Sequence, residues 1–352
     1  MALREAVHAI RHAVAVGRPE LRYVRLTGPD AWDALDRLCA GDLYVRDGQL
    51  LHALLLDEEA HPFADCYVGR DDEEYFLLCE GPTARALEEH LARHLPEGAD
   101  VAYADLTDAH AVLGLDGPFA WELLAALAGA DSIGLPYLTF YHHGEWTVAR
   151  AGKTGEYGYL LVVPREGADA LEERLMAAGE LRDAARAGQD ALDQCALENW
   201  FFNIRREGRL DVTPLELQLQ WRVSPRKAFV GSEALRRRSE AGIRRRITTL
   251  VGPGPYAAGE AVRLGGTEVG RIVNAGCSES RGDWVALALL DLAWAHPGLG
   301  FEVAPAAGGG TVPARSVSPP VIDNRSLHVS PQLHSYATRG DIRFPPLART
   351  SP

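Results

Sequence analysis

An acidic residue flanked at alternate positions by aromatic rings is the first group in this sequence whose type and spacing could do chemistry. It lies in the stretch from Leu54 to Val68, where Phe63, Asp65 and Tyr67 occur two residues apart. On a β-strand successive side chains point to opposite faces, so these three share one and the carboxylate sits between two rings. Partial desolvation there pushes a carboxyl pKa upward, into the range useful for proton transfer or for stabilising a cation. The same residues also fit a strand-end Asp on a solvated face.

A second stretch, Gly152-Lys153-Thr154-Gly155-Glu156-Tyr157-Gly158-Tyr159, is glycine-rich and runs into the strand from Leu160 to Val163. Glycines let the backbone turn tightly against a flat ligand, and one carboxylate can accept two parallel N–H donors from it. An ordinary β-turn has the same composition. The third stretch runs from Leu210 to Val223 and on through Lys227 to Leu235. Within it Thr213-Pro214 with Glu216 can start a helix, and Trp221 can be a core aromatic.

The elements that must position these groups read as two loosely similar α+β halves, 1–105 and 106–243. Helix 3–16, with Pro19 stopping it, leads into strand 23–26, a Gly28-Pro29-Asp30 turn and a helix through Leu35 and Leu38. Strands 51–56, 63–69 and 75–79 and helix 82–95 complete the first half. The second has strand 110–115, helix 119–128, strands 137–143, 146–151 and 157–163, and helix 166–178. From Arg244 helical spacing disappears and short strands recur at 246–251, 261–264, 267–274, 283–290 and 300–304. This predicts a small β-barrel or sandwich over 244–328. Residues 329–352, with Pro331, Pro345, Pro346 and Pro352, form a tail that is either disordered or laid across the surface.

Composition bounds the function. The chain has 352 residues, 36 Lys and Arg against 49 Asp and Glu, a net charge of −13, and 47% hydrophobic residues. That is a globular chain of about two or three domains. Its negative charge argues against a nucleic-acid partner. The five cysteines form no CxxC pair, so neither a disulfide framework nor a zinc knuckle is indicated, and no metal site is expected. No apolar run reaches the ~18 residues of a membrane helix, and the first twenty residues carry charges where a signal peptide needs an apolar core. A cytoplasmic protein without a membrane partner is expected. His142 and His143 are adjacent on a strand and point to opposite faces, whereas His52 and His61 lie near Asp65 and could assist its proton transfer. No Walker loop, GxSxG elbow or GxGxxG fingerprint occurs.

Taken together the three stretches resemble the folate-binding aminomethyltransferase family, which includes the glycine cleavage T-protein, the folate domains of dimethylglycine and sarcosine dehydrogenases, and tetrahydrofolate-dependent demethylases. Asp65 matches the acidic residue of the family's catalytic strand, and Gly152 to Gly158 resembles GYTGEdG. Leu197-Glu198 resembles the end of LRLE, Thr213 to Glu216 resembles TPLE, Phe229 to Leu235 looks like FIGrEAL, and Gly270 to Gly276 looks like the GxVTSG strand. The resemblance implies an α+β fold of ferredoxin-like layers around a central hole that holds tetrahydrofolate, closed on one side by a small C-terminal barrel. It implies that Asp65 stands beside the N5 nitrogen and the one-carbon unit, that Glu156 holds the pterin edge with Thr154 and Gly155 around it, and that Trp221 stacks in the pocket. Strand alternation adds Tyr67 and Phe63 as walls.

The departures from the family lie on the donor side. Leu192 and Ala196 stand where ARDxLRLE has arginines, Glu80 replaces an Asn, Lys153 replaces the Tyr of GYTGE, Asn274 replaces the Thr of VTSG, and Gly17 to Arg22 replaces the GW and DxSHM-like segment. Lys153 would pair with Glu156 or, with Glu80, meet a substrate. The leading expectation is therefore a tetrahydrofolate-dependent one-carbon transferase acting on a small amine or ether outside glycine cleavage, with a possible partner enzyme of the same pathway. The second is folate-independent acid–base chemistry in the same cavity. A non-catalytic role like that of the related iron–sulfur assembly proteins is disfavoured, because Ala228 stands in the cysteine position of their KGCYxGQE-like motif.

Overall fold

The computed structural model describes residues 3–306, 308 and 310–349. The chain opens with α1 (Leu3–His12) and β1 (Ala15–Gly17), then β2 (Arg22–Thr27), α2 (Ala31–Leu38), β3 (Leu50–Leu56), β4 (Pro62–Asp71), β5 (Glu74–Glu80), α3 (Ala84–His94) and β6 (Ala102–Asp105). It continues through β7 (His110–Asp116), α4 (Ala120–Ala128), β8 (Phe140–His143), β9 (Trp146–Ala149), β10 (Gly158–Pro164), α5 (Arg165–Gly179), β11 (Ala185–Ala187), α6 (Gln189–Asn199) and α7 (Ser232–Ala241). The last six strands are β12 (Arg245–Gly252), β13 (Ala261–Leu264), β14 (Thr267–Ser278), β15 (Asp283–Asp291), β16 (Gly300–Ala304) and β17 (Val312–Val317).

These strands form a five-stranded sheet in the order β3-β4-β5-β2-β6, a six-stranded sheet in the order β11-β1-β7-β10-β9-β8, and a closed barrel β12-β15-β14-β13-β16-β17. The expected first half is not self-contained. Helix α1 ends at His12 rather than continuing to residue 16, and β1 leaves it to pair with β7 and β11 of the second sheet.

Strand alternation sorts the side chains into layers. Tyr23, Tyr67, Phe76 and Leu78 of the first sheet meet Val112, Phe140, Leu160 and Val162 of the second, so the two sheets pack face to face. Their outer faces are covered by α2 and α3 on one side and by α4 and α5 on the other. The site grows in the layer between the sheets.

The barrel has six strands where five were predicted, Val312–Val317 being the addition. It seats on α6: Leu197 packs with Ile247, Val285 and Leu287, and the Ser278 hydroxyl donates to Glu198 at 2.6 Å. The segment after β17 is laid across the α+β body, the second of the two expected outcomes. Val329 and Tyr336 are buried in the core beneath it, with the Tyr336 ring edge-on to Phe119 at 5.3 Å. No helix among the described residues is long and apolar enough to cross a membrane.

Candidate functional site in the central cavity

The register of β4 and β5 places Asp65 directly opposite Glu80. Two like charges across a ladder repel, and both side chains are buried. The conflict is resolved by Lys153, whose ammonium donates to Asp65 Oδ2 at 2.9 Å, to Glu80 Oε2, and to the Phe202 carbonyl at 3.1 Å. Asp65 Oδ1 takes Arg222 Nη2 and, at 2.9 Å, His52 Nε2. Glu80 Oε1 faces Arg205 at 3.2 Å, and Arg205 also holds Glu20 and Asp193.

The protonation states follow. Burial alone would raise Asp65, as the sequence predicts, but Arg222, Lys153 and His52 outweigh it and hold the carboxyl well below the usual carboxylate range. Burial works against the Lys153 ammonium too, and Asp65 and Glu80 override it, so its pKa lies above the ordinary lysine value. His52 is pushed down by burial, hence neutral, and its Nε2–H is the donor to Asp65. The upward shift expected for Asp65 is therefore corrected: the aromatic surroundings exist, but two long-range cations decide the sign.

Several anticipated partners sit elsewhere. Tyr67 does line the cavity, stacked on His52 at 4.6 Å between ring centroids, with its hydroxyl donating to the Gly152 carbonyl at 3.3 Å. Phe63 does not: the register shifts between Leu55 and Leu56, and Phe63 turns to the helix side to stack on His90 at 4.1 Å. A β-bulge breaks the alternation on which its placement rested. Trp221 is 72% exposed. Its neighbour Arg222 is the buried member, which also donates to the Ala53 carbonyl at 2.8 Å.

Lys153 pairs with Asp65 and Glu80, not with Glu156. The Glu156 carboxylate is fully buried under the segment beyond the barrel, accepting from Arg325 N at 3.1 Å, Ser326 N at 2.7 Å, Ser326 Oγ at 2.6 Å and Arg11 at 3.3 Å. It does not line the cavity. Arg11 is the hub of this second cluster, donating to Glu198 at 2.7 Å and to the Thr154 carbonyl at 2.7 Å. Gly155 (φ +83°) belongs there as well, because a Cβ on it would meet the Asn199 amide at 2.6 Å. His61 bonds Asp57 and Asp211, and His142 bonds Asp71, so neither assists Asp65. No group of His, Cys, Asp and Glu among the described residues could hold a metal ion.

One cavity residue carried no signal in the sequence. Asp116 ends β7 on the same face as Val112 and Gly114. Its Oδ1 accepts from the Thr154 hydroxyl at 2.7 Å and is packed so closely that a Cβ on Gly152 or Gly158 would lie 3.2 Å from it. These glycines cradle a carboxyl group of the chain itself rather than a flat ligand. Burial raises Asp116 to about 6, against the pull of Thr154 and Arg11. The cavity, about 60 Å³, is lined on its apolar side by Leu160, Leu192, Ala196 and Phe202 and on its polar side by Glu20, Glu80, Asp116, Asp193 and Lys153.

A long two-sheet body with a closed barrel seated on it, and a charged cavity between the sheets, defines a class. Residues 1–227 match the GCVT N-terminal domain and residues 244–323 the glycine cleavage T-protein C-terminal barrel domain. An aminomethyltransferase of Rubrobacter xylanophilus is 32% identical over 274 residues, 75% of this chain and 72% of the relative. One of Mycobacterium avium is 34% identical over 226 residues, 63% of this chain and 61% of that one. The crystal structure of glycine cleavage system aminomethyltransferase T from Bartonella henselae superposes with a TM-score of 0.82 at 24% identity, covering 92% of this chain and 90% of the other, and shares the fold. The chain belongs to the aminomethyltransferase family, and with it to the transferases.

That family works with tetrahydrofolate, and the lining does not fit the cofactor in the way the resemblance implies. Glu156 is saturated by protein donors, and Leu192 and Ala196 present apolar surface where an anionic tail would need cations.

Proposed function

We propose that this transferase-family enzyme acts on a small protonated amine in the central cavity, apart from glycine cleavage and without tetrahydrofolate seated at the family's position. The observation that carries the reading is Lys153. It fills the middle of the site, neutralises Asp65 and Glu80, and leaves a small remainder with acidic groups on one wall and apolar groups on the other. An acidic, partly apolar cavity attracts a cation that bears methyl groups and rejects an anion. What this chain's own residues supply is a carboxylate that accepts the ammonium N–H and orients the amine in the cavity.

Ligand-observed NMR titration tests the reading with dimethylammonium, acetate and, under anaerobic conditions, tetrahydrofolate. Dimethylammonium has about three heavy atoms, and the ceiling of about −1.5 kcal/mol per atom caps its affinity at about −4.5 kcal/mol, near millimolar. Millimolar binding of the ammonium, with neither acetate nor tetrahydrofolate bound, is expected. Micromolar tetrahydrofolate binding, or equal affinity for acetate, overturns the reading.

A further inference from the structure

We infer that Asp116, not Asp65, is the carboxylate that meets and holds the protonated amine. The inference rests on the amine reading above and names the residue that performs it. Of the carboxylates that line the cavity, and of Asp65 beside them, this one alone is not paired with a cation among the described residues. Asp65 has Arg222 and Lys153, Glu80 has Lys153 and Arg205, and Asp193 and Glu20 have Arg205. Among the described residues Asp116 forms no ion pair, and its one side-chain hydrogen bond comes from a neutral hydroxyl to Oδ1.

The other oxygen is the one presented to a ligand. Oδ1 is wedged between Gly152, Gly158 and Thr154, whereas Oδ2 lies over Gly114, on the side where Pro19 closes the cavity wall. No hydrogen-bond donor among the described residues reaches Oδ2. Oδ2 is left to the cavity, where a ligand or water can supply its donor. A protonated amine supplies both the donor and the charge. In the bound state the ammonium N–H donates to Oδ2 in a charge-assisted hydrogen bond, the proton stays on nitrogen, and Asp116 stays ionised.

The surroundings make both protonation states accessible. Burial and the nearby Glu156 favour the neutral acid, while Thr154 and Arg11 favour the carboxylate, and the balance puts Asp116 at about 6. The Cys195 thiol behind it is raised by burial to stay uncharged at neutral pH and does not compete. Asp65, held ionised by two cations, has no such freedom. Its role is to anchor Lys153 and Arg222.

The test follows the side-chain carboxyl carbons of the full chain, labelled with ¹³C-aspartate, against pH, alone and with saturating dimethylammonium. One carboxyl resonance, missing in Asp116→Asn, should titrate near 6 in the free protein and move to lower pH with the ammonium bound, because a bound cation favours the carboxylate. The same substitution should weaken dimethylammonium at least tenfold. Should Asp116→Asn not fold, Thr154→Val removes the hydroxyl that favours the charged form and should move the wild-type resonance to higher pH. If wild type binds dimethylammonium and its affinity survives in Asp116→Asn, or the Asp116 resonance ignores the ligand, the assignment is wrong and the amine reading stands. If wild type binds no ammonium at all, both fall together.

Discussion

Replacing Lys153 by methionine keeps the length of the side chain and removes the ammonium that bridges Asp65 and Glu80. Breaking a buried ion pair by deleting one partner costs about 3–5 kcal/mol, because the charge left behind is uncompensated. Neither carboxylate is abandoned here: Asp65 keeps Arg222 and His52, and Glu80 keeps Arg205. The Lys153 side chain is also 19% exposed, so water can reach the gap. The loss should therefore fall at or just under the lower end, about 2–3 kcal/mol. A second substitution separates charge from packing. In Lys153→Met with Glu80→Met the carboxylate that lost its nearest cation is gone, and since apolar replacement of a buried pair is often neutral or better, about 1–2 kcal/mol should return. Urea unfolding followed by tryptophan fluorescence reads both. With a slope of about 1–3 kcal/mol per molar, the single variant should lower the midpoint by about 1 M. A shift under about 0.3 M, or a double variant no more stable than the single, would refute the view that charge neutralisation is what Lys153 does there.

The pH dependence of stability carries a second expectation. Asp65 has a folded pKa below its unfolded value of about 3.9, so its stabilisation is complete above that value and is lost as pH falls through the folded pKa. Urea midpoints should drop below about pH 4, and Asp65→Asn should flatten that drop while lowering stability at pH 7. Gly158→Ala should cost about 1–3 kcal/mol by overpacking, since its Cβ would lie 2.8 Å from the Ala151 carbonyl and 3.2 Å from Asp116 Oδ1. Calorimetric melting checks it, and an unchanged melting temperature would mean that the Asp116 cradle is looser than described.

Much of the architecture was legible because it is written locally. The strands read at 63–69 and 157–163 and the helix read at 82–95 appear as Pro62–Asp71, Gly158–Pro164 and Ala84–His94, because apolar runs and helical spacing report burial within a few residues of themselves. The glycine-crowded strands beyond residue 244 announced the barrel in the same way. Where the local rule failed, a local cause is visible: the bulge at Phe63 reverses its face, and β1 and β11, at three residues each, are too short to leave a period.

The chemistry of the site was legible only in its ingredients. The resemblance carried by the sequence implied that Asp65 and the 152–158 stretch face one cavity, offered Glu80 and Lys153 as substrate contacts, and showed that the arginines of the family are absent at Leu192 and Ala196. It could not determine who neutralises whom. Lys153 reaches Asp65 across 88 residues and Arg222 reaches it across 157, while Glu156 is claimed by Ser326, 170 residues away. Pairings of this kind depend on which strand faces which. The register that sets Asp65 opposite Glu80 creates the need for a cation, and the packing of two sheets decides which one arrives. The same packing leaves Asp116 without a cation, because the strand end that carries it faces the cavity over glycines instead of over a basic side chain.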